Sequence, residues 1–277
     1  MALVLLAAIL HASWNALVKT GGDPMVRLAV MNAIGSLLGL VLVSFTAPPA
    51  PEAWPFLFGS ILVHSLYYLF LILGYRFGDL SLVYPVARGV APVLVAVGGF
   101  LFAGETLSLG GMFAVGVISV GILSITLSGG RRIEVGSPVV YALLTGVAIS
   151  SYTILDGLGG RLSGNVLGYI AWLFFLDGIP LVLVAAWLRG GEFKNSLRRH
   201  WKPSVIGGVF SMGAYALVIW AMSLTPMTYV SALRETSVLI AALIGTKLLG
   251  EPLGGRRVAA AALVAVGVVA LQLSKAD

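Results

Sequence analysis

Apolar runs long enough to cross a bilayer follow one another along nearly the whole chain, parted only by short polar gaps. A spanning helix needs about 20 mostly apolar residues. Ten segments meet that description, at 2–19, 28–46, 55–76, 80–103, 111–128, 137–156, 166–188, 203–223, 227–249 and 257–273. The gaps leave no room for a soluble domain. Hydrocarbon offers backbone amides and carbonyls no partner, so each segment must satisfy its own hydrogen bonds as a helix. The pattern predicts an all-α membrane protein with ten transmembrane helices.

Composition supports this reading. The chain is 59% hydrophobic and 10% charged, whereas soluble domains carry roughly 25% charged residues. The net charge of +6 does not point to nucleic acid, because the basic residues sit in short loops beside the spans, where membrane orientation accounts for them. The absence of cysteine removes disulfides and thiolate metal sites, and no cofactor or metal site is expected. The first span starts at the second residue without the basic leader of a secretory signal, and is expected to be retained.

The two halves of the chain match. With an offset of 146 residues, LVYPVARGVAPVLVAVGGFLFAGETL lies over TYVSALRETSVLIAALIGTKLLGEPL. Arg88 then falls on Arg234, Gly104-Glu105 on Gly250-Glu251, and Gly121 on Gly267. A rare arginine and a Gly-Glu pair matching in register carry more weight than matching apolar letters. The reading is two five-helix repeats, 1–133 and 134–277, joined near Gly129 to Gly136. An odd number of spans per repeat makes the repeats inverted, and the loop charges agree. They follow the first and third spans of the first half (Lys19, Arg27, Arg76), but the second and fourth of the second half (Arg189, Lys194, Arg198, Arg199, Lys202, Arg256, Arg257). Inverted repeats place their substrate sites near the midplane, between the halves. Arg161 and Lys275 are nearly alone on the other side, so the positive-inside rule puts both termini outside the cytoplasm.

Several polar residues lie inside the apolar segments. Arg88 sits mid-span, where a charge costs about 2.5 to 3.5 kcal/mol on insertion scales. Ser81 and Tyr84 share its helix face, and Pro85 and Pro92 flank it, each removing a backbone hydrogen bond. Arg234 is followed by Glu235. Neighbours on a helix do not face each other, so each needs another partner: substrate for Arg234, a proton or Arg88 for Glu235. HASWNALVK sets His11, Asn15 and Lys19 on one stripe beside Trp14, and SSYTILD supplies Ser151, Tyr152 and Asp156. Asp177 lies mid-span and, with Glu235, is a candidate for binding a proton. It could equally pair with Arg234 or hold a kink at Pro180. His64, Tyr67, Tyr68, Tyr215 and Trp220 offer aromatic walls. Glu105 and Glu251 follow glycine just before the last helix of each half, where a carboxylate caps free amides. Hydrolase and nucleotide-binding signatures (HExxH, GxSxG, a Walker loop) are absent, which argues against an enzyme or an ATP-driven pump.

The ordered set HASWNALVK, VYPVARGVAP with GETL, and SALRETS with GEPL resembles the EamA branch of the drug/metabolite transporter superfamily along the whole chain. That resemblance implies a ten-helix bundle around a central cavity, a secondary carrier of small metabolites, and cavity roles for Trp14, Asn15, Arg88 and Arg234. It also implies cytoplasmic termini, against the loop charges. The expectation is a multi-pass inner-membrane transporter working by alternating access on an amino-acid-like, anionic or zwitterionic solute. Arg88, Arg234, Tyr84, Tyr152, Trp14 and Asn15 would bind the solute, with proton coupling through Glu235, Asp177 or His11. Its partners would be the solute and the lipid bilayer, not nucleic acid. The alternative is a carrier or flippase of lipid-linked sugars, marked by a lateral opening between helices; an enzyme or sensor subunit ranks below both.

Overall fold

A computed structural model describes residues 1–19, 24–77, 80–127, 137–199, 201–240 and 255–274. Within helices, the side chains of 15–19, 24, 75, 80–81, 125–127, 137, 196–199 and 255–257 fall outside the description. The described residues are helical apart from short turns: α1 (Ala2–Lys19), α2 (Pro24–Val43), α3 (Trp54–Phe77), α4 (Leu80–Ala103), α5 (Leu109–Leu127), α6 (Ser137–Leu162), α7 (Val166–Arg199), α8 (Trp201–Leu224), α9 (Met227–Arg234) and α10 (Gly255–Leu273). Among the described residues, six apolar helical segments are long enough to cross a membrane: Met25–Val43, Pro51–Gly74, Leu82–Ala103, Pro138–Leu162, Val166–Asn195 and Trp201–Leu224. Shorter apolar helices run over Ala2–Trp14, Leu109–Ser124 and Val258–Leu273. Their flanks expose Phe58, Leu62, Phe100, Phe113, Leu183 and Val266. A soluble monomer rarely leaves that much apolar surface uncovered, and lipid is the solvent that suits it.

Two helices differ from the sequence expectation. The segment 227–249 reads as one continuous span, but α9 stops at Arg234, and Glu235 occupies a turn before helix resumes at 236–240. In α7 the backbone leaves helical geometry at Arg189 (φ −133°, ψ 30°), just past the apolar run, and the helix then continues into the basic stretch to Arg199.

The chain forms two compact units, residues 1–65 with 156–224, and residues 66–155 with 225–277. In the first unit α2 packs on α7, and α8 packs on α1, α2 and α7. Glycines let α2 and α7 touch backbone to backbone. A Cβ on Gly39 would collide with Phe174 and Phe175, and one on Gly178 with Ser36 and Asn32. The Ser36 hydroxyl donates to the Phe174 carbonyl across the same contact. In the second unit α4 packs on α5 and α9, and α5 on α10, around Ala114, Val115, Ile118, Ile122, Tyr229 and Val264. There a Cβ on Gly121 would lie 3.0 Å from Val264 Cγ2, and one on Gly267 would lie 2.6 Å from Ile118 Cγ1. Small residues of this kind let membrane helices approach closely.

The end of α4 shows why its sequence stops there. Gly104 is left-handed (φ 63°), as glycine commonly is just past a helix end, and the Glu105 amide donates back to the Gly99 carbonyl at 3.0 Å, closing the helix. That turn aims Glu105 at α9. Its carboxylate accepts the Met227 amide at 2.8 Å and the Thr228 amide at 3.3 Å. Glu105 therefore caps α9, not α5, the helix that follows it in sequence. Pro226 ahead of α9 brings no side-chain cap of its own, so the amides depend on the distant carboxylate. Glu251, its counterpart in the repeat, lies outside the described residues.

Candidate functional site

In the second unit the polar groups converge on the break after α9. Arg88, on the buried side of α4, is 4% exposed, Arg234 is 3% exposed and Glu235 is fully buried. Pro92 leaves the Arg88 carbonyl without its helical donor. Arg88 Nε lies 3.1 Å from Glu235 Oε2, close enough for an ion pair though not aligned as a hydrogen bond. Arg88 Nη2 donates to Ser237 Oγ at 3.3 Å. The turn at Glu235 is what brings its carboxylate round to Arg88, and it places Ser237 beside the same guanidinium. Arg234 is arranged differently: among the described residues its Nε and Nη2 have no hydrogen-bond partner, and neither has the hydroxyl of Ser231 one turn back.

Tyrosines border these charges. Tyr84, half-buried on α4, is within electrostatic reach of Arg88, Glu235, Arg234 and Tyr152. Tyr152 is 7% exposed and meets Tyr67 edge to face at 5.8 Å. Counting the described side chains, this cluster holds two guanidinium groups and one carboxylate, a surplus of one positive charge.

The first unit has a separate polar cluster. Asp156, fully buried near the end of α6, accepts hydrogen bonds from the hydroxyls of Tyr169 (3.0 Å) and Tyr215. Asp177 on α7 pairs with His64 on α3, Nδ1 to Oδ1 at 3.4 Å, and that nitrogen also faces Ser60 Oγ at 3.3 Å. The His64 ring stands edge to face on Tyr215 at 5.6 Å. Among the described residues, no three His, Asp or Glu side chains converge closely enough to hold a metal ion.

On α1, Trp14 Nε1 donates to His11 Nδ1 at 3.3 Å, with the rings edge to face at 5.1 Å. The side chains of Asn15, Lys19 and Ser81, also singled out in the sequence, lie outside the described residues. The structure thus brings Arg88, Tyr84, Tyr152, Arg234 and Glu235 into one unit, and His11, Trp14 and Asp177 into the other. Sequence reasoning did not single out Ser237 or Tyr169, and placed His64 only as an aromatic wall. The i, i+4 pair Ser60 and His64 was the available signal for the last; Ser237 and Tyr169 carry none that distinguishes them from ordinary helix residues.

Apolar helices that carry buried guanidinium and carboxylate groups fit a multi-pass membrane protein, and comparison with known proteins gives its class. Residues 136–272 match the EamA-like transporter family. A stretch of 99 residues, 36% of this chain and 80% of the relative, is 35% identical to the multidrug resistance protein EbrB of Bacillus subtilis (strain 168). One solved crystal structure superposes with a TM-score of 0.72 at 17% identity, covering 98% of this chain and 96% of that one; at that identity it shows the fold alone. The chain belongs to the EamA-like transporter family. It is a membrane transporter of the drug/metabolite type, acting on a small molecule, and not an enzyme.

Proposed function

We propose that the protein is a secondary transporter of a small anionic or zwitterionic solute, working in the inner membrane by alternating access of two inverted five-helix repeats, 1–133 and 134–277. The observation that carries the substrate class is Arg234. A guanidinium this deeply buried, with two donors that have no partner among the described residues, calls for an anion, because leaving such a charge uncompensated is costly. Arg88 and Glu235 neutralise each other, so the cluster has capacity for one negative charge from a ligand. Tyr84 and Tyr152 supply an aromatic border that also suits an ammonium group. Trp14 and Asn15 complete the binding set in this reading. Glu235, Asp177 and His11 are the candidates for proton coupling, each an ionisable group within an apolar, membrane-spanning stretch of the sequence.

The inverted repeat is supported by reciprocity in the packing. Gly121 approaches Val264 while Gly267 approaches Ile118, and both pairs are repeat mates at the offset of 146 residues. Gly39 approaches Phe175 while Gly178 approaches Ser36, mates at an offset of 139 residues. Contacts in which i meets j′ and j meets i′ are the signature of two-fold related surfaces. In both pairs the helices run antiparallel through the contact, as inverted repeats require.

A cleft of about 510 Å³ on the first unit, lined by Leu38, Leu42, Leu167, Ile170, Met212 and Trp220 among others, favours the second reading, a carrier of lipid-linked substrates. Its lining is apolar apart from Thr46 and the Trp220 indole. It suits an acyl chain but not a sugar, and the anionic-solute reading stands first.

A thermal-shift panel of amino acids, aminophosphonates, polyamines and sugar nucleotides tests this. A ligand at a hundredfold its dissociation constant stabilises the folded state by about 2.7 kcal/mol. The reading expects an anionic or zwitterionic hit that is lost in Arg234→Gln. Polyamines alone shifting the parent would overturn it.

A further inference from the structure

Resting on the anion-site reading above, we infer that the two buried arginines have different tasks: Arg234 seats a two-oxygen anion, carboxylate or phosphonate, on an open guanidinium edge, and Arg88 is a positioning residue that holds Glu235 away from that edge. The Nε and Nη2 hydrogens of a guanidinium point side by side along one edge, and two oxygens of a carboxylate or phosphonate fit that fork. In Arg88 the edge faces groups of the protein itself: Nε is ion-paired with Glu235 Oε2 at 3.1 Å, without hydrogen-bond alignment, and Nη2 donates to Ser237 Oγ at 3.3 Å. In Arg234 the same two nitrogens are buried and, among the described residues, without hydrogen-bond partners. Ser231, three residues back and 1% exposed, adds an unpartnered hydroxyl on the same helix face.

The backbone explains the division. α9 ends at Arg234, and Glu235 turns out of the helix. The carboxylate next in sequence to Arg234 is therefore free to reach the guanidinium on α4. While Arg88 holds it, Glu235 does not compete for the fork. Without Arg88, Glu235 would swing to the nearest cation, which is Arg234, and fill the seat.

The test uses the whole protein in nanodiscs, with arginine Nε resonances followed by 15N NMR. Probes are benzoate, methylphosphonate, neutral benzamide and benzylammonium. Benzoate or methylphosphonate should shift one Nε resonance, the one missing in Arg234→Lys, and leave that of Arg88 in place. Their relative affinities separate a planar carboxylate from a tetrahedral phosphonate as the natural group. Arg234→Lys should weaken anion binding by about tenfold or more, through loss of a charge-assisted fork. Arg88→Met should weaken it too, and Arg88→Met/Glu235→Gln should restore it, a rescue that a merely structural arginine would not allow. Anion binding that survives Arg234→Lys and is lost in both Arg88 variants would overturn the inference while leaving the anion-site reading intact. Binding of benzylammonium alone, or no shift from either anion up to its solubility limit, would overturn both.

Discussion

Substituting Arg88 by methionine tests the ion pair at the centre of the second unit. The partner, Glu235, is fully buried, so it cannot recover by turning to water. At 3.1 Å and an effective dielectric of about 20, the gross attraction is about 5 kcal/mol. Much of it offsets the cost of bringing both charges out of water. The balance becomes visible when one charge goes: breaking a buried pair from one side costs about 3 to 5 kcal/mol, because the other charge stays behind. Arg88→Met should therefore destabilise by that amount, less whatever Glu235 regains from Arg234. Glu235→Gln leaves Arg88 its hydrogen bond to Ser237 but no compensating charge, and should also destabilise. The double variant should recover more than half of the summed losses. Reversible unfolding in mixed micelles, with all four proteins in one double-mutant cycle, supplies the coupling energy. A coupling below about 0.5 kcal/mol, or a double variant as unstable as the sum of the singles, would refute the claim that these two charges compensate each other.

Other consequences follow from separate contacts. Glu105→Ala should cost about 0.5 to 2 kcal/mol, the usual effect of removing a helix cap; hydrogen exchange should speed up first at Met227 and Thr228, and unchanged exchange there would contradict the cap. Gly267→Val, which drives a side chain into Ile118 and Ala114, should destabilise by about 1 to 3 kcal/mol, whereas a neutral effect would mean that α5 and α10 do not approach as described. Tyr169→Phe should cost about 1 to 3 kcal/mol by withdrawing a donor from buried Asp156, measurable in the same unfolding assay. A reporter fused after Asp277 decides the orientation: activity outside the cytoplasm is expected from the loop charges, and cytoplasmic activity would refute it.

The helices were legible because lipid allows an apolar run little else. The expected 80–103 coincides with α4 at Leu80–Ala103, and 55–76 lies within a residue of α3 at Trp54–Phe77. The break at Glu235 was not legible. TYVSALRETSVLIAALIG has no proline or glycine near it, and the turn answers to Arg88, which is far away in sequence. Glu105 shows the same limit: a carboxylate beside helix ends reads as a cap, but the helix it caps begins 122 residues later. In the site, rarity guided the reading well for Arg88 and Arg234, since a charge inside an apolar run is conspicuous. Ser237 and Tyr169 are ordinary residues until the fold gives each of them a charged neighbour.

The most direct measurement is flux into sealed proteoliposomes of the anionic solute that gives the largest thermal shift, in the parent protein and in Arg234→Gln. Saturable uptake above that of protein-free liposomes, abolished in the variant, is what a transporter with an anion seat at Arg234 predicts. Uptake equal to that of empty liposomes, or undiminished without the guanidinium, would contradict it.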